Sequence, residues 1–171
     1  MLVNSLKLGC DCLGEIFYFD VHQVTWEGKV KSVENAICMH EEDYGIQWKH
    51  YDSESQTSEV RRSRRLVISS IFTIGNYDYG FYWYLYLDGT IQMEIKLTGI
   101  VGVSAVTEAT HNPAQSPLIA EGLASPVHQH VFCFRLDWEL DDGPNAIYES
   151  QIEVLPISDT NPDGTQFQSV S

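Results

Sequence analysis

The alternation of apolar and polar positions is sharpest in the middle of the chain. Thr90-Ile91-Gln92-Met93-Glu94-Ile95-Lys96-Leu97 alternates over eight residues, so Ile91, Met93, Ile95 and Leu97 share one face of a strand. Asp88-Gly89 before it is a two-residue hairpin signal, because that turn needs positive φ at both central positions. A tight hairpin there puts Tyr86, Tyr84 and Tyr82 opposite Ile91, Met93 and Ile95. The partner strand is apolar on both faces, which predicts burial on both sides. Leu66 to Thr73 is a continuous apolar run and reads as a buried strand.

Elsewhere the same signals recur. Residues 15–21 carry β-branched and aromatic enrichment, Trp26-Glu27-Gly28-Lys29 reads as a turn, and a second strand is expected around residues 35–40. Residues 41–58 read as loop, with Gly45 to Lys49 as a short strand inside it. Residues 107–126, with three Pro, read as a long connection. Val127 to Glu139 is a further strand candidate, ended by Leu140-Asp141-Asp142-Gly143-Pro144-Asn145, and Tyr148 to Leu155 is another. The tail from Pro156 shows no core-building pattern. No amphipathic helix and no internal repeat is visible, so the chain reads as all-β.

Composition narrows this picture. A length of 171 residues suffices for one domain with a core, and 43% apolar with 20% charged residues is globular composition. The formal charge of -14 argues against nucleic acid, whose backbone needs clustered Lys and Arg. The one basic cluster, Arg61-Arg62-Ser63-Arg64-Arg65, lies between acidic stretches and reads as a solvated strand entry or an ion-pair network. No apolar run reaches the roughly 18 residues of a membrane helix, and no signal peptide is visible.

Candidate chemistry is sparse. His128-Gln129-His130 puts two imidazoles on one face if the segment is a strand, and imidazole suits copper and zinc alike. Two ligands leave a site incomplete, and the spacing of His22, His40, His50 and His111 nominates no third. Cys10, Cys12, Cys38 and Cys133 form no zinc pattern. They read either as reduced, buried thiols or as a Cys12–Cys38 disulfide. Tyr77 alone reads as a core tyrosine with a bonded hydroxyl, and Asp137 as a strand-end or solvent-facing carboxylate.

The order of several blocks adds a resemblance. Leu8 to Gly14, Asn35 to Asp43, Trp48-Lys49-His50, Val60 to Val67, Gly75 to Thr90 with Asn76-Tyr77-Asp78-Tyr79, Pro126 to His130 and Arg135-Leu136-Asp137 resemble the copper-containing amine oxidases, in that family's order. The resemblance implies residues 1–171 as part of the catalytic domain, a large antiparallel β-sandwich. It implies Tyr77 as precursor of topaquinone, Asn76 as the neighbour restraining the quinone ring, and His128 and His130 as two of three copper ligands. It implies Cys12 and Cys38 as the family's disulfide pair. Asp137, with the main-chain carbonyl of Trp138, matches part of a second, calcium-type site. The implied reaction is oxidative deamination of a primary amine by dioxygen, giving aldehyde, ammonia and hydrogen peroxide, in a homodimer.

The family's carboxylate base and third copper histidine fall outside the matched blocks, so the chain is expected to be an internal fragment, truncated at both ends. Two other readings stand beside an active oxidase. One is a catalytically inactive fragment or remnant; the other is an unrelated all-β metal-binding protein.

Overall fold

The computed structural model describes residues 3–108, 111–140, 143 and 145–170. Among them every regular element is a strand, and none is a helix long and apolar enough to cross a membrane. The chain divides into two compact units, residues 1–128 and 129–171.

The first unit is built on a five-stranded antiparallel meander: β1 (Ile16–Val24), β2 (Val30–Asp52), β3 (Thr57–Ile74), β4 (Tyr77–Tyr86) and β5 (Ile91–Gly99), adjacent in that order. Trp26 to Lys29 makes the expected turn, closed by the Gly28 amide donating to the Thr25 carbonyl at 2.9 Å. The core beneath includes Leu6, Cys12, Ala36, Cys38, Val67, Tyr79 and Tyr84. Phe17, Ile46 and Leu97 remain exposed, as on a sheet that forms part of a β-sandwich.

Residues 41–58 are not the loop that their polarity suggests. β2 continues to Asp52 and returns as β3 from Thr57, so the acidic stretch is one rail of a long two-stranded ribbon. The cause lies across the ladder. Glu41 pairs with Arg64 at 2.6 Å, Asp43 with Arg62 and Glu42 with Arg65, so opposite charges stabilise strands that composition alone disfavours. The basic cluster is therefore an ion-pair network. Two bulges, at Asp43/Gly45 and Ile46/Trp48, add the local twist that such a ribbon needs.

β4 has no exposed residue, in keeping with its two apolar faces. Its pairing with β5 differs by one position from the expected register. Trp83 lies opposite Met93 and Phe81 opposite Ile95, while Tyr84 and Tyr82 face Gln92 and Glu94. The connection is a three-residue loop, Leu87-Asp88-Gly89, in which Gly89 alone takes positive φ (86°). The Gly89 amide donates to the Tyr86 carbonyl and the Tyr86 amide to the Thr90 carbonyl, a turn followed by a left-handed glycine. One extra loop residue moves every tyrosine of the strand to the other set of partners.

The connection at 107–126 also carries structure. β6 (Ser104–Ala105), β7 (Leu118–Ala120) and β8 (Leu123–Ala124) form a small sheet in the order β6-β8-β7.

In the second unit, β9 (Gln151–Val154) pairs antiparallel with β10 (Phe167–Val170). Tyr148 to Leu155 is thus a shorter strand than its sequence suggests, and the tail from Pro156 contributes that strand's partner. The buried Asn161 holds the connection, its side-chain amide donating to the Leu155 and Pro156 carbonyls at 3.0 and 3.2 Å. Among the described residues no strand is formed at Val127 to Glu139, against expectation. Its composition suits a strand, yet strand composition needs a neighbouring ladder to become one. In the turn expected after it, Asp141, Asp142 and Pro144 lie outside the described residues.

Candidate functional site

β3 and β4 are joined by the two-residue turn Gly75-Asn76, with Ile74 paired to Tyr77. Gly75 takes φ of 63°, as the first position of a tight hairpin turn of this kind demands. The turn thereby fixes Tyr77 as the first residue of a strand that has no exposed residue. The Asn76 carbonyl accepts from the Ile100 amide at 2.7 Å, which ties the turn to the end of β5. The Asn76 residue itself is exposed.

Tyr77 is half-buried and its hydroxyl is held from two directions. The Gly102 amide donates to it at 3.0 Å, and His128 Nε2 lies 3.1 Å away, with the two rings 5.6 Å apart between centroids. His128 Nδ1 is 2.7 Å from the Pro126 carbonyl. A carbonyl can only accept, so in the neutral imidazole the proton sits on Nδ1 and the Nε2 lone pair faces the phenol. Tyr77 then donates to Nε2 while accepting from Gly102. The arrangement leaves one phenol oxygen and one imidazole nitrogen adjacent, both able to bind a metal. Imidazole with an oxygen donor is a set that suits copper, so the residues present fit such an ion.

A second network lies behind the turn. Thr73 Oγ1 donates to Asp78 Oδ1 at 2.5 Å, and the Asn4 amide donates to Thr73 Oγ1 at 3.0 Å. Asn4 also donates from its backbone to the Ile71 carbonyl at 2.9 Å, which lashes the N-terminal segment to β3.

The remaining site candidates are dispersed. His130, Asp137 and Trp138 are exposed residues of the second unit, where the Trp138 carbonyl accepts a hydrogen bond from the Asn145 side-chain amide. His22 bonds Ser32 at 2.8 Å, His40 bonds Cys38 at 3.4 Å, and His111 bonds the Ser116 carbonyl at 2.7 Å. Among the described residues no three His, Cys, Asp or Glu side chains converge as a metal cage. Cys12 and Cys38 share the buried cluster with Leu6 and stand as free thiols, not as a disulfide. Burial, then the hydrogen bond and charge of Cys38, push the Cys12 thiol up to about 12.

Sequence patterns leave Gly102, Ser125 and the Pro126 carbonyl unmarked, because two of the three act through the main chain. The only visible trace is the glycine pair Gly99 and Gly102 after β5. An added Cβ at Gly102 would stand 3.2 Å from the Tyr77 oxygen, so glycine keeps that approach open.

The sequence matches the family described as copper amine oxidase, enzyme domain, over residues 1–171. It is 51% identical over 169 residues to the primary amine oxidase of Arthrobacter sp. (strain P1), covering 99% of this chain and 26% of that protein. It is 51% identical over 164 residues to the histamine oxidase of Arthrobacter globiformis, covering 96% and 24%. The crystal structure of a copper-containing benzylamine oxidase from Hansenula polymorpha superposes with a TM-score of 0.71 at 27% identity, covering 99% of this chain and 27% of that one. The chain thus spans about a quarter of the length of these relatives.

Proposed function

Because this chain belongs to the copper amine oxidase family, its residues 1–171 matching within that family's enzyme domain, we propose that it serves the copper-dependent oxidation of primary amines by dioxygen. The products are aldehyde, ammonia and hydrogen peroxide. One observation carries the reading: the Tyr77 hydroxyl lies between the Gly102 amide and Nε2 of His128.

In this proposal Tyr77 is the precursor of topaquinone, and His128 and His130 contribute two copper ligands. Copper, when bound, supplies the means to oxidise Tyr77 with dioxygen, and the resulting quinone supplies an electrophilic carbonyl for the amine. The protein's own share is positional. His128 Nε2 has a single lone pair, which faces the phenol in the metal-free protein and would bind the ion when copper is present, while Nδ1 stays fixed on Pro126. The Gly102 amide holds the phenol oxygen in place. Asn76, in a turn pinned to Ile100, is proposed as the neighbour that restrains the quinone ring. Asp137 and the Trp138 carbonyl are proposed as part of a second site of calcium type, since oxygen donors suit a hard cation. Cys12 and Cys38 are proposed to form a disulfide on oxidation. A homodimer is proposed on the family's account. No residue here is assigned as the carboxylate base or third copper ligand.

The test is a visible spectrum. Protein expressed without copper is given Cu(II) under air, then a carbonyl-trapping hydrazine, with Tyr77→Phe as control. A hydrazine-sensitive chromophore absent from Tyr77→Phe is expected. Soluble, folded, copper-loaded protein that stays colourless would overturn the reading and favour an inactive remnant, an alternative consistent with a chain a quarter of its relatives' length.

A further inference from the structure

We infer that Ser125 is a positioning residue for Tyr77, acting through the main chain of Gly102. The inference rests on the role proposed for Tyr77 but concerns a contact within the protein alone. The Ser125 hydroxyl donates to the Gly102 carbonyl at 3.1 Å, and the Gly102 amide donates to the Tyr77 oxygen at 3.0 Å. Tyr77 donates in turn to His128, which stands only three residues after Ser125. These bonds close a ring: Ser125 to Gly102, Gly102 to Tyr77, Tyr77 to His128, and along the chain back to Ser125.

The ring carries one step further the register that the β6–β8 ladder sets by pairing Ser104 with Ala124 and Ala105 with Leu123. Residues 100–103 follow β5 without ladder pairing. The segment bearing Ser125 and His128 is fixed from outside, the Ser125 amide donating to the Pro117 carbonyl at 3.0 Å and the Val127 amide to the Gln115 carbonyl at 2.8 Å. Ser125 Oγ transfers that fixity to Gly102. The Gly102 carbonyl and amide belong to successive peptide groups that meet at one Cα, so the Ser125 bond restricts ψ of Gly102 and holds that Cα, and the amide it bears, close to Tyr77. A hydroxyl with both its acceptor side and its donor side engaged has one direction left for its proton, toward His128 Nε2. Gly102 completes the device. With no side chain it permits the 3.0 Å approach, where a Cβ would press on the same oxygen at 3.2 Å.

Copper-free, 15N-labelled protein tests this by the Gly102 amide resonance. Tyr77→Phe and Ser125→Ala are both expected to move that proton upfield and to speed its exchange with solvent about three- to tenfold, the weight of one hydrogen bond. Ser125→Thr, which keeps the hydroxyl, is expected to leave it in place. On addition of Cu(II) and air, chromophore formation in Ser125→Ala is expected to slow by about the same factor and recover in Ser125→Thr. If Ser125→Ala loses amide dispersion throughout, Ser125→Cys, with a weaker donor, is expected to give an intermediate shift. The inference is overturned if Tyr77→Phe moves the Gly102 amide and loss of the Ser125 hydroxyl does not, or if neither variant moves it. A wild type that forms no chromophore strikes the proposed function instead, and the resonance still decides the clamp.

Discussion

Gly99 stands directly opposite Tyr77 as the last pair of the β4–β5 ladder, and it has no room for a side chain. Its φ is 104°, and an added Cβ would meet the Asn76 carbonyl at 2.4 Å and Tyr77 Cα at 2.8 Å. Both neighbours are backbone and cannot swing away. Gly99→Ala is therefore expected to cost about 2–4 kcal/mol, combining left-handed strain with overpacking. Gly89→Ala, also at positive φ but with open space around it, is expected to cost about 1–2 kcal/mol. Urea unfolding of the two variants checks this. Equal losses would mean that the close approach at Gly99 carries no weight.

Along the ribbon, the arginines differ in what surrounds them. Arg65 pairs with Glu42, donates to the Tyr86 hydroxyl at 2.8 Å, and lies over the Tyr84 ring at 3.9 Å and the Tyr44 ring at 4.8 Å. Its side chain is 18% exposed, against 52% for Arg62 in its pair with Asp43. Arg65→Ala removes a cation from a partly desolvated aromatic setting and deprives Glu42 of its arginine, at an expected cost of about 2–4 kcal/mol. Arg62→Ala is expected to cost no more than about 1 kcal/mol, the range of solvent-screened pairs. Matching shifts in denaturation midpoint for the two variants would refute the distinction.

Acid should loosen the same ribbon before the rest of the sheet. The Arg62 hydrogen bond, followed by the Gly45 amide, holds the Asp43 carboxyl down at about 2, below its usual 3.8. A carboxylate whose folded-state value is depressed adds stability above its unfolded value, and that contribution fades as pH falls from about 4 to about 2. Glu94 is lowered too, first by the Tyr84 hydroxyl bonded to it at 2.5 Å. Stability measured by urea between pH 5 and pH 2.5 should therefore decline, with a shallower slope in Asp43→Asn. An unchanged slope in that variant would locate the acid sensitivity elsewhere.

What the sequence makes legible follows from physical range. Strand period in Thr90 to Leu97 and the apolar run at Leu66 to Thr73 are local signals, and both strands are present. The loop Leu87-Asp88-Gly89 is announced by its glycine, but its length depends on φ at Asp88, which residue type does not encode. The charged stretch at 41–58 reads as loop because its stabilising partners, Arg62 and Arg64, sit 19 and 23 residues away. At the candidate site, Tyr77 and His128 are legible only through the order of their motifs, being 51 residues apart. Gly102 contributes a main-chain N–H, a donor every residue but proline carries, so nothing in its identity marks it.

The pair Tyr77 and His128 should separate into two roles on mutation. His128 presents Nε2 because Pro126 holds the opposite nitrogen, so its imidazole is oriented before any ion arrives. Removing a ligand costs more than removing an outer partner, which is itself worth roughly 10–100-fold in affinity. His128→Ala is therefore expected to weaken Cu(II) binding by more than about 100-fold and to abolish the chromophore with it. Tyr77→Phe keeps the imidazole in place and removes only the phenol oxygen, so copper should still bind within about tenfold of wild type while the chromophore is lost. Calorimetric titration with Cu(II), beside the visible spectrum, measures both. If Tyr77→Phe loses copper as completely as His128→Ala, the phenol is a principal ligand, and the imidazole does not hold the ion in the way the geometry suggests.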